Sequence, residues 1–490
     1  MMPHRRGAIA PPPAATPPPP LAGRGPVLGT ATVGTVARVT DPGIDRTLLA
    51  SLHAAELERF AADHPRSRQL AEAASTHLLG GVPMNWMRRW PGSFPLFVDR
   101  AEGSHLWDAD GHEYVDLCLG DTGAMGGHSP AAVRAAVAAQ VPRGITAMLP
   151  SADVIEVAAE LSRRFGLPRW QLAMTATDAN RFALRLARHM TGRRKVAVFD
   201  WCYHGTVDET LAVLDGGRVT PRPGNTGWPV DPDVTTVVVP FNDVDALAAA
   251  LSGGDVAAVL AEPALTNIGI VLPDAGFHDA LRTLTRDAGT LLAIDETPTI
   301  CAGPGGATAA WGLDPDLLTI GKPIAGGVPA AAFGLSEAVA AAVSEAMSGE
   351  DTDVSGVGGT LTANALAVAA MRAVLTTTLR DEDYAVTIPL ATRWADGVAG
   401  VIAAHGLPWT VQQLGCRAEY WFCPPPRNGA AAAEAVDHGL EAFLHLWSLN
   451  RGVLLTPFHN MALMAPTTTE ADVDRHTEVF AAAVAALLAP

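Results

Sequence analysis

The sequence predicts an α/β fold built on a doubly wound, mostly parallel sheet. Its middle part alternates short apolar runs, which are typical of strands, with segments whose apolar residues recur every three or four positions, as in helices. The apolar runs are continuous, as expected of parallel strands that helices cover on both faces. The chain has 490 residues, 48% of them hydrophobic. It is therefore long enough for a large domain and a smaller second one.

The two ends of the chain differ from this middle part. Residues 1–40 are rich in Pro, Ala and Gly and show no apolar periodicity, so we expect a disordered extension there. Residues 41–120 are typical of a helical segment followed by a small β-meander, with the sequence DADG as a turn. Residues 381–490 combine the strand-like sequence QQLGCRAEYWF with helical stretches and predict an α+β domain.

The large domain is expected at 121–380. Strands are predicted at 195–201, 235–241, 256–263, 290–297 and 317–321, and the main connecting helices at 180–192, 244–254 and 274–289. In sheets of this kind, ligands bind beside the carboxyl ends of the strands. The residues that follow these strands are therefore the first candidates for a functional site.

Composition excludes several classes of function. The net charge of -17 argues against a nucleic-acid partner, which needs a basic face. No apolar stretch is long enough for a membrane span, and prolines interrupt any export signal after the arginine pair near the start. The five cysteines are widely spaced and form no CxxC pair, which predicts no metal site. Reduced thiols favour the cytoplasm.

Lysine is rare, and one of the two lysines lies where chemistry is expected. The 34 basic residues include only Lys195 and Lys322 as lysines. Lys322 follows the apolar run LLTIG and precedes a Gly/Pro turn, whereas Lys195 begins a strand and is interpreted as a surface residue. Arginine stays protonated, but a partly desolvated lysine amine can attack a carbonyl group.

Two carboxylates are predicted to meet Lys322 at the same sheet edge. Asp295 ends the strand TLLAID, and Glu262 ends the strand VAAVLAEP. An anion at this edge can hold a pyridine nitrogen protonated, so the combination with Lys322 indicates pyridoxal 5′-phosphate. The alternative for Asp295 is a helix cap.

The segment at 175–177 is a further candidate for cofactor binding. Thr175, Ala176 and Thr177 precede a helix expected to begin near Ala179, where backbone N–H groups could bind a phosphate. The alternative is an ordinary N-cap with Asp178 in the first turn.

An aromatic residue and a second threonine complete the candidates. Tyr203 could stack on a cofactor ring or be a structural aromatic, with His204 and Gly205 shaping the turn after it. Thr360, expected at the head of a helix, could bind a phosphate or act as an N-cap.

The order of these motifs resembles that of the class-III pyridoxal-phosphate-dependent aminotransferases. It is similar in particular to the branch that holds glutamate-1-semialdehyde aminomutase and the β-amino-acid aminotransferases. The resemblance runs from about Asp41 to the C-terminus and is carried by GHSP (127–130), TATDAN (175–180), YHG (203–205), AEP (261–263), DET (295–297), GKPIAGG (321–327) and GGTLTAN (358–364).

The resemblance implies fold type I, an obligate homodimer with active sites at the interface, and a role for each matched residue. Lys322 would be the Schiff-base lysine and proton carrier, and Asp295 would pair with the pyridine nitrogen. Tyr203 would stack on the ring, and Glu262 would support the site near Asp295. Phosphate binding would involve Ala176, Thr177 and, in the partner subunit's site, Thr360.

The chain also departs from the family pattern. Ala176 stands where the family commonly has glycine, Pro298 follows DET, and GDTGAMGGH (120–128) replaces a more aromatic stretch of the aminomutase. Arg88 and Arg89 follow the GGV segment, where the branch places an arginine that reads a substrate carboxylate.

Other residues of the substrate region have two interpretations. Trp86 and Trp90 could line an apolar pocket or simply pack. His459 and Asn460 stand where some relatives have a second carboxylate-binding arginine, so the amino acceptor stays open.

Three functions follow from these expectations. The first is an aminotransferase that moves an amino group from an amino acid or amine to a keto acid or aldehyde. The second is an aminomutase or racemase, which needs no second substrate. The third is a non-catalytic protein that binds pyridoxal phosphate, against which the presence of both Lys322 and Asp295 argues.

Overall fold

The computed structural model describes residues 43–225, 227–346 and 356–489, so the extension predicted at 1–40 lies outside the described residues. The helices, α1 to α15 in chain order, are Arg46–Asp63, Pro65–Ser75, Ala131–Gln140, Asp153–Phe165, Ala176–Thr191, Pro232–Thr235, Val244–Leu251, Phe277–Asp287, Gly306–Ala310, Glu337–Ala346, Ala365–Thr377, Asp381–Ala404, Gly429–Glu434, His438–Leu449 and Glu470–Leu487. The strands, β1 to β16, are Val98–Glu102, His105–Asp108, Glu113–Asp116, Arg169–Ala173, Lys195–Phe199, Ala212–Asp215, Arg218–Pro221, Thr236–Val239, Val256–Ala261, Leu291–Asp295, Leu317–Ile320, Ala331–Leu335, Thr410–Leu414, Arg417–Trp421, Val453–Leu454 and Met461–Leu463.

The central sheet confirms the predicted α/β class. Its strand order is β4-β12-β11-β10-β9-β5-β8, and the neighbours from β11 to β8 pair in parallel. These strands correspond to the predicted apolar runs, with the ends shortened because the last residues of each run turn away from the sheet. Strand β4 and the antiparallel strand β12 were not among the predicted strands. The latter, AAFGL, is poor in β-branched residues, which weakens its strand signal.

Two buried clusters lie against the sheet. Every residue of β9 is buried, as the continuous apolar run predicts. In β11, Leu317 packs in one cluster and Leu318 in the other, because successive side chains of a strand point to opposite faces. Helix α5 packs against β9, β11 and β12, while α11 packs against α3 and α4. The sheet is thus held firmly enough to fix the loops at its edge.

The two ends of the described chain meet in smaller sheets. The predicted meander forms β1, β2 and β3, and β15 from the C-terminal region pairs in parallel with β3. The DADG turn is stabilised by Asp108, whose carboxylate accepts hydrogen bonds from the Asp110 and His112 amides at 2.9 and 2.8 Å. His64 links the helical segment to the meander by a 2.9 Å contact with the Tyr114 hydroxyl. The domain boundaries at 120 and 380 stay a prediction.

Two predicted helix starts are wrong. Helix α5 begins at Ala176 rather than near Ala179, since Thr175 caps it by accepting a hydrogen bond from the Asp178 amide at 3.1 Å. Helix α11 begins at Ala365 and is capped by Asn364, so Thr360 precedes this helix instead of heading it. Within the described part of the chain, no helix combines the length and apolar character needed to cross a membrane.

Candidate active site

Most of the predicted site residues gather at the carboxyl edge of the central sheet. Asp295 ends β10 and is in register with Thr319 of β11, which is followed shortly by Lys322. Glu262 comes directly after β9, the other neighbour of β10. Because parallel strands end at the same edge, this arrangement brings the two carboxylates and Lys322 to one side of the sheet, as the sequence predicted.

Helix α5 also reaches this edge. A Cβ atom added to Gly321 would lie 3.0 Å from Ala176 Cβ, so the residue before Lys322 is in contact with the first residue of α5. The first turn of a helix leaves backbone N–H groups without partners inside the helix, and these groups favour anions. The start of α5 is therefore placed to bind a phosphate beside Lys322.

The other two residues of this segment already have partners. The Thr175 hydroxyl caps α5 and donates to Asp178 Oδ2 at 2.9 Å, which is the N-cap alternative. Thr177 Oγ1 accepts a hydrogen bond from the Thr206 amide at 3.1 Å, and a side chain on Gly205 would collide with it. The small residue at 205 thus allows the turn after Tyr203 to approach α5.

Asp295 is buried and held as an anion. Its Oδ2 atom accepts hydrogen bonds from Asn180 Nδ2 at 2.8 Å and His204 Nδ1 at 2.9 Å, and Oδ1 accepts from the Thr297 amide at 3.0 Å. Burial alone would raise the pKa of Asp295, but these hydrogen bonds and the His204 charge outweigh it and lower that pKa. The carboxylate can therefore stabilise a positive charge next to it.

His204 and Glu262 surround Asp295. Burial disfavours a charged His204, but Cys202 and Asp295 outweigh this effect and raise its pKa well above the usual value. Burial is also the main cause that raises the pKa of Glu262, whose Oε2 atom accepts a hydrogen bond from the Thr266 hydroxyl. Among the described residues, His204 Nε2 and Glu262 Oε1 are buried without a hydrogen-bond partner.

Lys322 contacts a residue that was not among the predicted candidates. Its Nζ atom lies 3.1 Å from Asp121 Oδ2, and the Lys322 side chain is 30% exposed. Lys195, the other lysine, lies at the start of β5 with Nζ 3.0 Å from Asp255 Oδ2. The surface interpretation of Lys195 agrees with this position, because Asp255 is 53% exposed.

An aromatic group connects Tyr203 to the predicted carboxylate-binding segment. The Trp86 ring lies 5.3 Å from the Tyr203 ring and 5.6 Å from the Phe458 ring, measured between centroids. The Arg89 guanidinium is 5.9 Å from the Phe458 centroid. By contrast, the side chain of Arg88 lies against Gly80, where an added Cβ would be 3.2 Å from Arg88 Cδ. Arg89 is therefore the arginine on the Tyr203 side.

Thr360 is the predicted site residue that the fold separates from those at the carboxyl edge of the central sheet. It is exposed in the turn before α11. The role of Thr360 in a partner subunit's site, which the resemblance implies, stays a prediction.

Three polar residues of the site have contacts that were not predicted from the sequence. Asp121 lies in the stretch singled out only as a departure from the family pattern, and His204 was expected to shape a turn rather than to bind Asp295. Asn180 holds Asp295 while its own Oδ1 accepts from the Thr319 hydroxyl at 2.6 Å. Each of these contacts joins residues that are far apart in sequence, so no local pattern indicates them.

Comparisons with known proteins find similar sequences and structures. Residues 86–388 match the family model described as aminotransferase class-III. Glutamate-1-semialdehyde 2,1-aminomutase from Desulfitobacterium hafniense is 34% identical over 417 residues, which cover 84% of this chain and 95% of that protein. The structure of a glutamate-1-semialdehyde-aminomutase from Pseudomonas aeruginosa PAO1 is 48% identical, with a TM-score of 0.89, and covers 91% of this chain and 100% of that one.

Two further structures bear on the site. A lysine-to-alanine variant of the Pseudomonas aeruginosa enzyme was solved in complex with PMP. A β-phenylalanine aminotransferase from Variovorax paradoxus is 28% identical, with a TM-score of 0.79, and covers 89% of this chain and 97% of that one.

Proposed function

The chain belongs to the class-III aminotransferases, and we propose that Lys322 is the residue through which it carries its cofactor and transfers amino groups. The family resemblance expected from the motifs is confirmed, and so is the pyridoxal-phosphate fold of type I. The cofactor is pyridoxal 5′-phosphate. The protein is therefore an enzyme that acts on small amino and carbonyl compounds.

The residues at the sheet edge fit this cofactor. Buried atoms without partners among the described residues, Glu262 Oε1 and His204 Nε2, lie around Asp295. Because Gly205 and Gly321 lack side chains, the turn after Tyr203 and the loop of Lys322 pack closely against the start of α5, where a phosphate would bind. When bound, the cofactor supplies a ring that accepts electrons from the substrate.

The single observation that carries the proposal is the environment of Asp295. A carboxylate that accepts three hydrogen bonds and has a lowered pKa remains ionised in the interior. It can therefore hold a proton on the pyridine nitrogen. The Lys322 amine lies just after the neighbouring strand β11, where it can carry a proton to and from the substrate carbon. The half-buried Tyr203 ring, 5.3 Å from the Trp86 ring, could stack on the cofactor ring.

We propose an aminotransferase that moves the amino group from an amino acid or amine to a keto acid or aldehyde. Arg89 would hold the substrate carboxylate, because a guanidinium binds a carboxylate through two hydrogen bonds. The aromatic pair Trp86 and Phe458 beside Arg89 would line the pocket for the rest of the substrate.

The second candidate is a 2,1-aminomutase of the glutamate-1-semialdehyde type. It is favoured by the 48% identity to a structure with that name and by the curated relatives that share it. An aminomutase converts one amino compound without an acceptor. Incubation of the holoenzyme with glutamate 1-semialdehyde alone therefore selects between the two functions, since an aminotransferase produces no 5-aminolevulinate catalytically.

We propose that the enzyme works as a homodimer. Exposed apolar side chains lie close to the turn of Thr360, among them Ile145, Met148, Leu149 and Leu361. The Ala365 amide donates to the Ile145 carbonyl at 2.9 Å, which joins the two segments into one face. A second copy on this face would bring Thr360 to the partner's phosphate. Light scattering measures the dimer, and Thr360→Ala should weaken pyridoxal-phosphate binding.

A cytoplasmic location is supported by the free cysteines of the described chain.

Lysine labelling tests the proposal directly. The purified protein should be yellow, and borohydride reduction should attach the cofactor to Lys322. Since the chain holds only one other lysine, Lys195, peptide mapping gives an unambiguous answer. A label on Lys195, or on neither lysine, would refute the assignment. A screen of amino donors, followed by the change of the cofactor's visible absorbance, then identifies the substrate.

A further inference from the structure

An acidic side chain faces the Lys322 amine across a long sequence separation. Asp121 Oδ2 lies 3.1 Å from Lys322 Nζ, although the two residues are 201 positions apart. The side chains are 24% and 30% exposed, so water screens this pair only in part. Opposite charges at this distance attract each other, and this attraction can hold the lysine amine in one place.

Both residues of the pair occupy unusual backbone conformations. Leu119, Gly120, Asp121 and Thr122 all have positive φ angles, of 46°, 59°, 50° and 82°, and Lys322 has φ 51°. The left-handed conformation costs roughly 1–2 kcal/mol for a residue with a Cβ atom. Strain of this kind persists where the surrounding structure imposes it and is concentrated at functional sites.

Hydrogen bonds to the end of β3 and within the turn itself hold this segment in its conformation. Asp116 Oδ1, at the end of β3, accepts from the Cys118 and Leu119 amides at 2.8 and 2.9 Å. The Asp121 amide donates to the Cys118 carbonyl at 2.9 Å, and the Ala124 amide donates to the Leu119 carbonyl at 2.8 Å. The meander thus fixes Asp121 in front of the loop after β11.

Several other titratable groups lie around this pair. Burial is the main cause that lowers the pKa of His459 to about 3 and raises the pKa of Cys301 to about 12. Burial also raises the pKa of Tyr203. Arg417, buried nearby, is partly compensated by Glu419, whose Oε2 atom is 3.5 Å away. Burial opposes the ionised form of Asp121, but Lys322, His459 and Arg417 lower its pKa to about 2.

We propose that Asp121 is a positioning residue for Lys322: its carboxylate holds the side-chain nitrogen in place through a contact between opposite charges. The inference rests on the proposed function, because it assigns a role beside the cofactor-bearing lysine. The role forms and breaks no covalent bond. The Asp121 carboxylate stays ionised.

The pH dependence of the cofactor's absorbance tests this role in the holoenzyme. The visible band of lysine-bound pyridoxal phosphate changes when the lysine nitrogen loses its proton. Asp121→Asn should lower the midpoint of this change by about 1–3 pH units, the effect of removing an opposite charge at this distance. Asp121→Gly should produce the same shift. Asparagine and glycine both tolerate a positive φ, so the turn is preserved in both variants. A midpoint equal to that of the wild type in both variants overturns the inference.

The second lysine provides a matched control in the cofactor-free, full-length protein. An amine-reactive reagent such as trinitrobenzenesulfonate labels the two lysines, and peptide mapping reports the pH profile of each. The Lys195–Asp255 pair has a similar separation, 3.0 Å, and Lys195 is 33% exposed. Asp121→Asn should shift the profile of Lys322 to lower pH and leave Lys195 unchanged. Asp255→Asn should affect only Lys195.

The two measurements separate this inference from the proposed function. A wild-type protein that binds no pyridoxal phosphate overturns the proposed function, while labelling still decides whether Asp121 holds Lys322. Normal cofactor binding with an unshifted Lys322 profile in Asp121→Asn overturns the inference alone.

Discussion

Replacement of Asp295 by asparagine should preserve the fold, with a small loss of stability and a large loss of activity. The carboxylate accepts from Asn180 and His204 on Oδ2 and from the Thr297 amide on Oδ1. An amide has only one oxygen. If that oxygen takes the Oδ2 position, the new NH₂ group faces the Thr297 amide, which is 3.0 Å from Oδ1 in the wild type.

The opposite orientation creates a second kind of conflict. The NH₂ group would then face Asn180 Nδ2, which is 2.8 Å from Oδ2 in the wild type. Asn180 cannot simply turn its amide, because its Nδ2 atom also donates to the His204 carbonyl at 3.1 Å, and that carbonyl would then face an oxygen. His204 can adapt by changing its tautomer. One buried donor therefore stays unpaired in either orientation, at a cost of ~1–3 kcal/mol. In a chain of this length, that cost lowers Tm by only about 1–3 °C.

The effect on activity should be much larger. A neutral amide no longer stabilises the protonated pyridine nitrogen, and loss of a preorganised electrostatic partner reduces kcat by ~10²–10³. The measurement compares kcat, cofactor occupancy and Tm for Asp295→Asn and for the control Asp200→Asn. Asp200 is also a buried residue after a strand of this sheet, and it accepts from the Leu214 amide at 3.0 Å. The control should lose stability and keep turnover within a few-fold. Asp295→Asn with full cofactor occupancy and near-normal turnover would refute the reasoning.

Two further predictions concern the substrate and acid stability. Arg89→Ala should reduce kcat/KM for an amino acid by the equivalent of ~2–5 kcal/mol and spare the corresponding decarboxylated amine. Arg88→Ala should leave the ratio of kcat/KM for these two substrates unchanged. Equal effects of both variants would contradict the assignment to Arg89. Burial holds His476, between Trp394 and Phe480, at a pKa of about 3 instead of 6.5. Below pH 6.5 the unfolded chain binds a proton at His476 and the folded chain does not, so the free energy of unfolding falls as the pH falls. His476→Leu should reduce this slope by ~1.4 kcal/mol per pH unit, measured by urea unfolding at several pH values. An unchanged slope would show that this histidine is protonated in the folded state.

Local patterns were sufficient to locate several candidates. Asp295 and Glu262 were found because each follows a continuous apolar run, and such runs are the most easily recognised strands in a parallel sheet. Lys322 was found because it is one of two lysines and lies after the next predicted strand. The order of the motifs then indicated the family, which the comparisons confirm. The roles of the individual residues stay predictions.

Helix starts were harder to predict because capping depends on single side chains. Thr175, taken together with its neighbours as part of a phosphate-binding segment, proved to cap α5. The helix after Thr360 begins only at Ala365, since Asn364 offers a better cap than the residues before it. Both shifts are of a few residues. They nevertheless change which side chains are free to bind a ligand.

The sequence by itself determined the fold class, the strands that end at the site, and the residues offered at those ends. These properties depend on apolar periodicity and on residue type within short segments. Only the tertiary structure decided which partners these residues have. His204 meets Asp295 across 91 positions, and Asp121 meets Lys322 across 201. Such contacts exist because the strands pair at one edge and the meander is fixed beside them. The charge state of each group therefore follows from the packing of distant segments, which no local pattern encodes.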